Sequence, residues 1–181
     1  MKDLNEVIYL GENERQRYFK KYFDEVYKEI KDTFKRFHRY DGLCEIGELL
    51  LKFKIDDMAF CNNTNLYHTL LIIKKEIGPL CKNMLHTLKY VSQPTKEKTT
   101  NLILAYDQLI SKIDASEYKE EYDWYFCYLI LCLLKSVVYL LDLRIIIYNE
   151  LYKIKTMNPF VVYKLGKLMR SLFIRKTIWY L

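Results

Sequence analysis

A long apolar run near the middle of the chain constrains the fold more than any other feature. From Trp124 to Leu141 the sequence reads WYFCYLILCLLKSVVYLL, which holds one charged side chain, Lys135. Such a run forms either the buried axis of a helical domain or a membrane span. On a membrane-insertion scale its apolar residues contribute roughly −4 kcal/mol, and Lys135 with the tyrosines cancels most of that. Asp142 and Arg144 close the run near the lower length limit for a span, so the sequence favours a buried helix.

Most polar side chains of this helix fall on one narrow stripe. Residues seven positions apart point in nearly the same direction on a helix, as Lys135, Asp142 and Asn149 do. The stripe of a helix predicted from about Asp123 to Ile154 also carries Trp124, Tyr128, Tyr139 and Lys153. This stripe either reaches water or lines a groove that accepts the helix of another protein. On the second interpretation the candidate partner-binding residues are Lys135, Tyr139, Asp142, Trp124 and Tyr128.

The predicted helix is long for a domain of this size. About 32 residues would span about 48 Å, whereas a compact domain of this length has a diameter of about 40 Å. Arg144 would point away from the polar stripe and into the core. We therefore expect a bend or break between Asp142 and Arg144.

The low content of turn residues predicts an all-α fold. The 181 residues include five glycines and three prolines, too few for a chain built of many short strands. We expect residues 1–181 to form a single globular bundle of about seven or eight helices around the apolar central helix. Local signals place a capping box at Asn13 and Gln16, a tight corner at Gly78-Pro79, a break at Ser92 to Thr95, and a last helix starting at Asn158-Pro159.

The cysteines and histidines indicate neither disulfides nor a metal site. The five cysteines, an odd number without paired spacing, are Cys44, Cys61, Cys81, Cys127 and Cys132. This usage, with no continuous apolar region near the N-terminus, predicts a reducing, cytoplasmic location. The scattered His38, His68 and His86 form no zinc motif, and we expect no metal or cofactor. Cysteine nucleophile chemistry would call on Cys81 or Cys61 with His86 or His68, which nothing in the sequence brings together.

The C-terminal segment 159–181 is a basic amphipathic helix. Lys164, Lys167, Arg170 and Arg175 share one sector, and no acidic residue lies between Pro159 and Leu181. The simplest interpretation is a terminal helix whose apolar face packs on the bundle and whose basic residues are solvated. The alternatives are peripheral contact with an anionic membrane, docking into a partner's groove, and contact with phosphates.

The first long helix is also rich in basic residues. Lys20, Lys21, Lys28 and their neighbours could follow a nucleic-acid backbone, with tyrosines available for stacking. Acidic residues such as Asp24 and Glu25 are interleaved with them, which is typical of an ordinary solvated helix face. A nucleic-acid-binding protein that uses the basic first and last helices is therefore the alternative function.

An apolar central helix wrapped by amphipathic helices resembles the architecture of the Bcl-2 family and its poxviral relatives. Those proteins bind amphipathic helices in a surface groove or block innate signalling through helix faces. Their Asn-Trp-Gly-Arg signature is absent here, since Trp124 lies in the sequence YDWYF, so no functional residue is carried over and the analogy concerns architecture alone. The resemblance implies a non-enzymatic intracellular protein-interaction module, an adaptor or inhibitor with a protein partner. The excess of lysine over arginine is typical of AT-rich coding, as in some large DNA viruses, protozoan parasites and low-GC bacteria, and indicates nothing about chemistry. One form of the expected interaction module is a viral or parasite host-modulating protein that binds a partner helix in a groove.

Overall fold

The computed structural model describes residues 3–36, 63–116 and 123–172. These ranges hold six α-helices and two short 3-10 turns, and no strand occurs in them. The helices are α1 (Leu4–Ile8), α2 (Glu12–Arg36), α3 (Asn63–Thr87), α4 (Gln93–Ala115), α5 (Asp123–Met157) and α6 (Val162–Ser171), with 3-10 turns at Leu88–Tyr90 and Pro159–Val161. The all-α prediction is confirmed, whereas the count of seven or eight helices is not. The short helix predicted around Leu43 to Phe53 and the end of the first long helix at Asp41-Gly42 lie outside the described residues.

Helix α5 is the central element of the bundle. It packs against α2, α3, α4 and α6, and its apolar side chains such as Ile130, Leu134, Val137 and Leu141 are fully buried. A helix that is apolar around most of its girth has to be surrounded in this way to remove that surface from water. The apolar run therefore forms the axis of the fold, as predicted.

Of the bend or break expected between Asp142 and Arg144, the break is wrong and the bend stays a prediction. Helix α5 runs without interruption through 35 residues, Asp123–Met157, about 52 Å at 1.5 Å per residue. No glycine or proline occurs in this stretch, and four helices pack along it. The expected inward direction of Arg144 does hold, because only 1% of this residue is exposed.

The corner predicted at Gly78-Pro79 is also wrong. Helix α3 continues through Pro79 as one helix, Asn63–Thr87, so two predicted helices are one. Proline removes one main-chain hydrogen bond, and Pro79 lies on the exposed side of α3, where water can take the place of the missing donor. Ile77, Leu80 and Met84 are fully or almost fully buried on the other side, and their burial holds the helix together across the defect.

The helix starts are set by specific caps. Helix α2 begins at Glu12, one residue before Asn13 of the predicted capping box. The N–H of Gly11, which precedes this start, donates to the carboxylate of Glu14 at 3.3 Å. The break predicted at Ser92 to Thr95 is confirmed only at Ser92, because α4 begins at Gln93 and includes Pro94 and Thr95. The last helical segment begins at Asn158 as predicted, where the side-chain oxygen accepts from the N–H of Phe160 at 3.2 Å. This turn positions the surface described below.

No helix in the described ranges has an apolar stretch of the length needed to cross a membrane.

Candidate functional site

The middle of the predicted polar stripe is the seam between α5 and α2. Nζ of Lys135 lies 2.5 Å from both carboxylate oxygens of Glu29 on α2. The same Nζ lies 5.3 Å from the ring centroid of Tyr139 on its own helix. Burial lowers the pKa of Lys135, but the hydrogen bonds and charge of Glu29 outweigh burial, so the net shift is upward. The partner that Lys135 requires is therefore supplied by this chain.

The aromatic end of the stripe also meets α2. The guanidinium carbon of Arg15 lies 5.0 Å from the ring centroid of Trp124, a cation–π distance. Tyr128 is half-buried, and burial raises its pKa, with a further increase from Cys132 one turn away. These aromatic side chains are thus held against neighbouring residues of the same chain.

The stripe opens to solvent further along α5. Half of Tyr139 is exposed, and Asn149 and Lys153 are also exposed, while Asp142 is half-buried. The structure thus brings Trp124, Tyr128 and Lys135 close to α2 and leaves Tyr139 at the edge of that seam.

The predicted basic surface lies on the outer side of α6. Lys164, Lys167 and Arg170 are exposed, and Arg175 lies outside the described residues. The opposite side of α6 buries Leu165, Met169 and Leu172 against α3 and α5, as the simplest interpretation expected for this segment. The side chain of Asn83 on α3 donates to the main-chain oxygen of Ser171 at 2.5 Å and ties the two helices together.

Three apolar side chains stand out from the surface where α5 turns into α6. Met157 is 85% exposed, Phe160 is 98% exposed and Tyr163 is 80% exposed. We call Met157, Phe160 and Tyr163 the exposed corner. Sequence reasoning missed it, although a signal was present: Phe160 and Lys167 are seven positions apart, so the aromatic ring belongs to the basic sector and not to the buried one.

The outer face of α2 carries an open depression of about 480 Å³. Its lining is charged and of mixed sign, made of Arg17, Lys20, Lys21, Asp24, Glu25 and Lys28. Helices α2 and α6 each pack on α5, and they are not among the helix pairs that pack extensively with each other. The predicted convergence of the basic first and last helices on a nucleic acid remains a prediction.

The described cysteines lack the features of activated nucleophiles. Cys81 is buried on α3, and burial, assisted by the charge of Asp107, raises its pKa to about 12. His86 lies on the same helix and is exposed, whereas His68 is not described as a side chain and Cys61 and His38 lie outside the described residues. Burial also raises the pKa of Cys132, to about 11, against an opposing hydrogen bond from Tyr128. No group of three His, Cys, Asp or Glu side chains in the described ranges could hold a metal ion.

Comparison with known proteins adds no assignment to this geometry. No protein-family model, curated protein or solved structure matches the chain. The surfaces of the molecule are therefore the indication of its function.

Proposed function

We propose that this chain is a non-enzymatic helical interaction protein, an adaptor or inhibitor, which binds its partner through the exposed corner. The observation that carries the proposal is the 98% exposure of Phe160, flanked by the nearly equally exposed Met157 and Tyr163. A single exposed apolar residue is ordinary, but several adjacent ones with polar surroundings are typical of a binding surface. Burial of a phenylalanine side chain contributes about 1.5–3 kcal/mol, so a partner that covers this corner gains affinity.

The polar stripe of α5 is a weaker candidate for the binding surface. Its residues Lys135 and Trp124 are engaged by Glu29 and Arg15 of α2. A partner helix lying on the part of the stripe from Trp124 to Lys135 would have to displace α2 and break these contacts. The exposed corner needs no such displacement of a described helix, since its three side chains are already 80–98% exposed.

Support for a non-enzymatic role comes from the titratable groups in the core. The raised pKa of Cys81 and Cys132 disfavours the thiolate, the form that attacks an electrophile. Catalytic sites usually combine such groups with an open pocket and an adjacent base. Neither Cys81 nor Cys132 has this combination among the described residues.

Site-specific photocrosslinking tests the proposal. A photoreactive phenylalanine analogue at position 160 is expected to yield a discrete adduct in cells that express the protein, identified by mass spectrometry. The matched control is the same analogue at Tyr9, which is 87% exposed on α1. If positions 160 and 9 give the same adducts, or neither gives one, the corner is not the interaction surface.

A further inference from the structure

The two described chain segments that form and support the exposed corner carry charge of one sign. Between Leu151 and Leu172 there is no acidic residue, and the basic residues are Lys153, Lys155, Lys164, Lys167 and Arg170. The part of α3 that is tied to α6 through Asn83 also lacks acidic residues from Ile77 to its end, and its Lys82 is exposed. Glu150, the nearest preceding acid in the chain, accepts hydrogen bonds from Ser92 and Thr95 of the α4 start. The partner that complements this face electrostatically is therefore anionic.

The shape of the corner decides between anionic partners. Met157 ends α5, Phe160 lies in the 3-10 turn and Tyr163 lies in the first turn of α6. Their exposures of 85%, 98% and 80% are those of side chains that stand out from the described surface and not of side chains that line a groove. A partner helix requires a groove, and a single-stranded nucleic acid binds in a charged groove that follows its backbone. A membrane interface, by contrast, receives protruding apolar and amphipathic tips and holds the cations beside them at the headgroups.

We propose that the exposed corner binds an anionic lipid surface. Phe160 and Met157 enter the boundary between headgroups and acyl chains, and the Tyr163 hydroxyl stays among the headgroups. Lys164, Lys167 and Arg170 on the outer side of α6 pair with the phosphates and carboxylates of the lipids. The attachment is peripheral and reversible, with α6 still packed on the bundle through Leu165 and Met169. This inference rests on the proposed function, since it names the partner of the same corner.

Vesicle co-sedimentation of the full chain tests the inference. The probes are vesicles of phosphatidylcholine alone and vesicles with about 30% phosphatidylserine, each at about 0.1 M and about 0.5 M NaCl, a range over which screening increases strongly. We expect binding to the phosphatidylserine vesicles at low salt and its loss at high salt or without the anionic lipid. The double variant Phe160→Ser, Tyr163→Ser should bind about tenfold more weakly or worse, and so should the triple variant Lys164→Gln, Lys167→Gln, Arg170→Gln.

Matched controls separate the corner from general surface properties. The double variant Tyr9→Ser, Tyr67→Ser removes two other exposed aromatic rings, and Lys96→Gln, Lys98→Gln, Lys112→Gln removes the same charge from the exposed side of α4. Both should bind vesicles as the original chain does, and circular dichroism should show the same helix content for all variants. If the control variants lose vesicle binding as much as the corner variants do, the inference is overturned.

The remaining outcomes distinguish this inference from the proposed function. Absence of vesicle binding together with a protein or nucleic-acid adduct at position 160 refutes the lipid inference and leaves the corner as an interaction surface. If vesicle binding and an adduct specific to position 160 are both absent, the lipid inference and the proposed function are both refuted.

Discussion

The ammonium group of Lys135 on the central helix lies 2.5 Å from both carboxylate oxygens of Glu29 on α2, although 106 positions separate the two residues in the chain. The contact gives the charge in the apolar run a partner. It also fixes how α2 sits along α5, because the hydrogen bonds require the two side chains to be opposite each other. Lys135, the one charged residue of the apolar run, therefore orients α2 on α5.

A double-mutant cycle with Glu29→Gln and Lys135→Met should measure a coupling of about 0.5–1 kcal/mol. The value is modest because the Glu29 side chain is 42% exposed and water competes for it. The pKa of Lys135 is raised in the folded chain, so the coupling is fully present below the ordinary value of 10.5 and is lost as the pH rises through the folded value. Urea unfolding of the four chains of the cycle near pH 7 measures the coupling, and the same measurement above pH 10.5 measures its loss.

The matched control for this cycle is the pair Lys74 and Asp114, which joins α3 to α4 at 2.5 Å. Its carboxylate side chain is 53% exposed, and we expect a coupling of at most about 0.5 kcal/mol. A larger coupling for the control pair than for Lys135 and Glu29 would contradict the orienting role of the latter.

Glu150 of the central helix caps the start of α4 from outside that helix. It accepts from the N–H of Ser92 at 2.7 Å and from the hydroxyls of Ser92 and Thr95, and it thus does the work of an N-cap side chain. Burial acts to raise its pKa, but the hydrogen bonds lower it more, so the net shift is downward. We expect Glu150→Gln to lower the free energy of unfolding by about 1 kcal/mol near pH 7.

The pH dependence of this loss has a definite sign. Because the pKa of Glu150 is lowered on folding, its contribution is present above the ordinary value of 4.5 and disappears as the pH falls through the folded value. The difference between Glu150→Gln and the original chain should therefore vanish in acid. Glu97→Gln is the control, since Glu97 accepts from Gln93 within α4 and has no hydrogen bond to another helix of the described ranges. It should change stability by less than about 0.5 kcal/mol.

Pro79 should be a destabilising residue that the bundle tolerates. Replacement by alanine restores the missing main-chain donor within α3 and removes the clash of the ring. The unfolded chain becomes more flexible, which offsets part of the gain, so we expect Pro79→Ala to raise the free energy of unfolding by about 1–2 kcal/mol. The control is Pro94→Ala, because Pro94 lies in the first turn of α4, where proline is well accommodated. Thermal unfolding measures the gain. If the helix instead ended at Gly78, Pro79→Ala would not raise the stability of the chain.

The sequence predicted those features of the fold that depend on the residue pattern of a single helix. The 100° rotation per residue shows that α5 is apolar around most of its circumference and that Arg144 points inward. The cost of exposing apolar surface then predicts that α5 is buried. The continuation of α3 through Pro79 could not be predicted, because it depends on tertiary burial of Ile77, Leu80 and Met84 that exceeds a local penalty. The partners of Lys135 and Glu150 come from other helices and leave no pattern in the chain.

In the candidate site too, the features that depend on helical spacing were predicted and those that depend on where helices end were not. Lys164, Lys167 and Arg170 were assigned to the solvent side of α6 from their spacing, and they are exposed. The exposure of Met157 and Phe160 depends on where α5 ends and on the path of the turn at Asn158. Neither quantity can be obtained from helical periodicity alone, because element ends are set by single hydrogen bonds.

Gly166 offers a way to stabilise α6 without altering the exposed corner. It lies inside α6, and a Cβ added there meets no atom within 4 Å. Glycine inside a helix costs about 0.5–1 kcal/mol relative to alanine, so Gly166→Ala should raise the free energy of unfolding by about that amount. Thermal and urea unfolding should show the gain, and vesicle binding should be unchanged, because Phe160 and Lys164 keep their positions. A gain in stability with a loss of vesicle binding would instead indicate that α6 must loosen in order to bind.

The thiols of the buried Cys81 and the partly buried Cys132 should react slowly in the folded chain. Burial raises the pKa of Cys81 to about 12 and that of Cys132 to about 11, from an ordinary value of 9.0, and the thiolate is the reactive form. Near pH 8 the thiolate population is lowered by about a thousandfold at Cys81 and about a hundredfold at Cys132. Variants that keep only one of these cysteines, labelled with a thiol-specific reagent with and without urea, measure the protection. Rapid labelling of Cys81 under native conditions would contradict its burial and would reopen cysteine chemistry at α3.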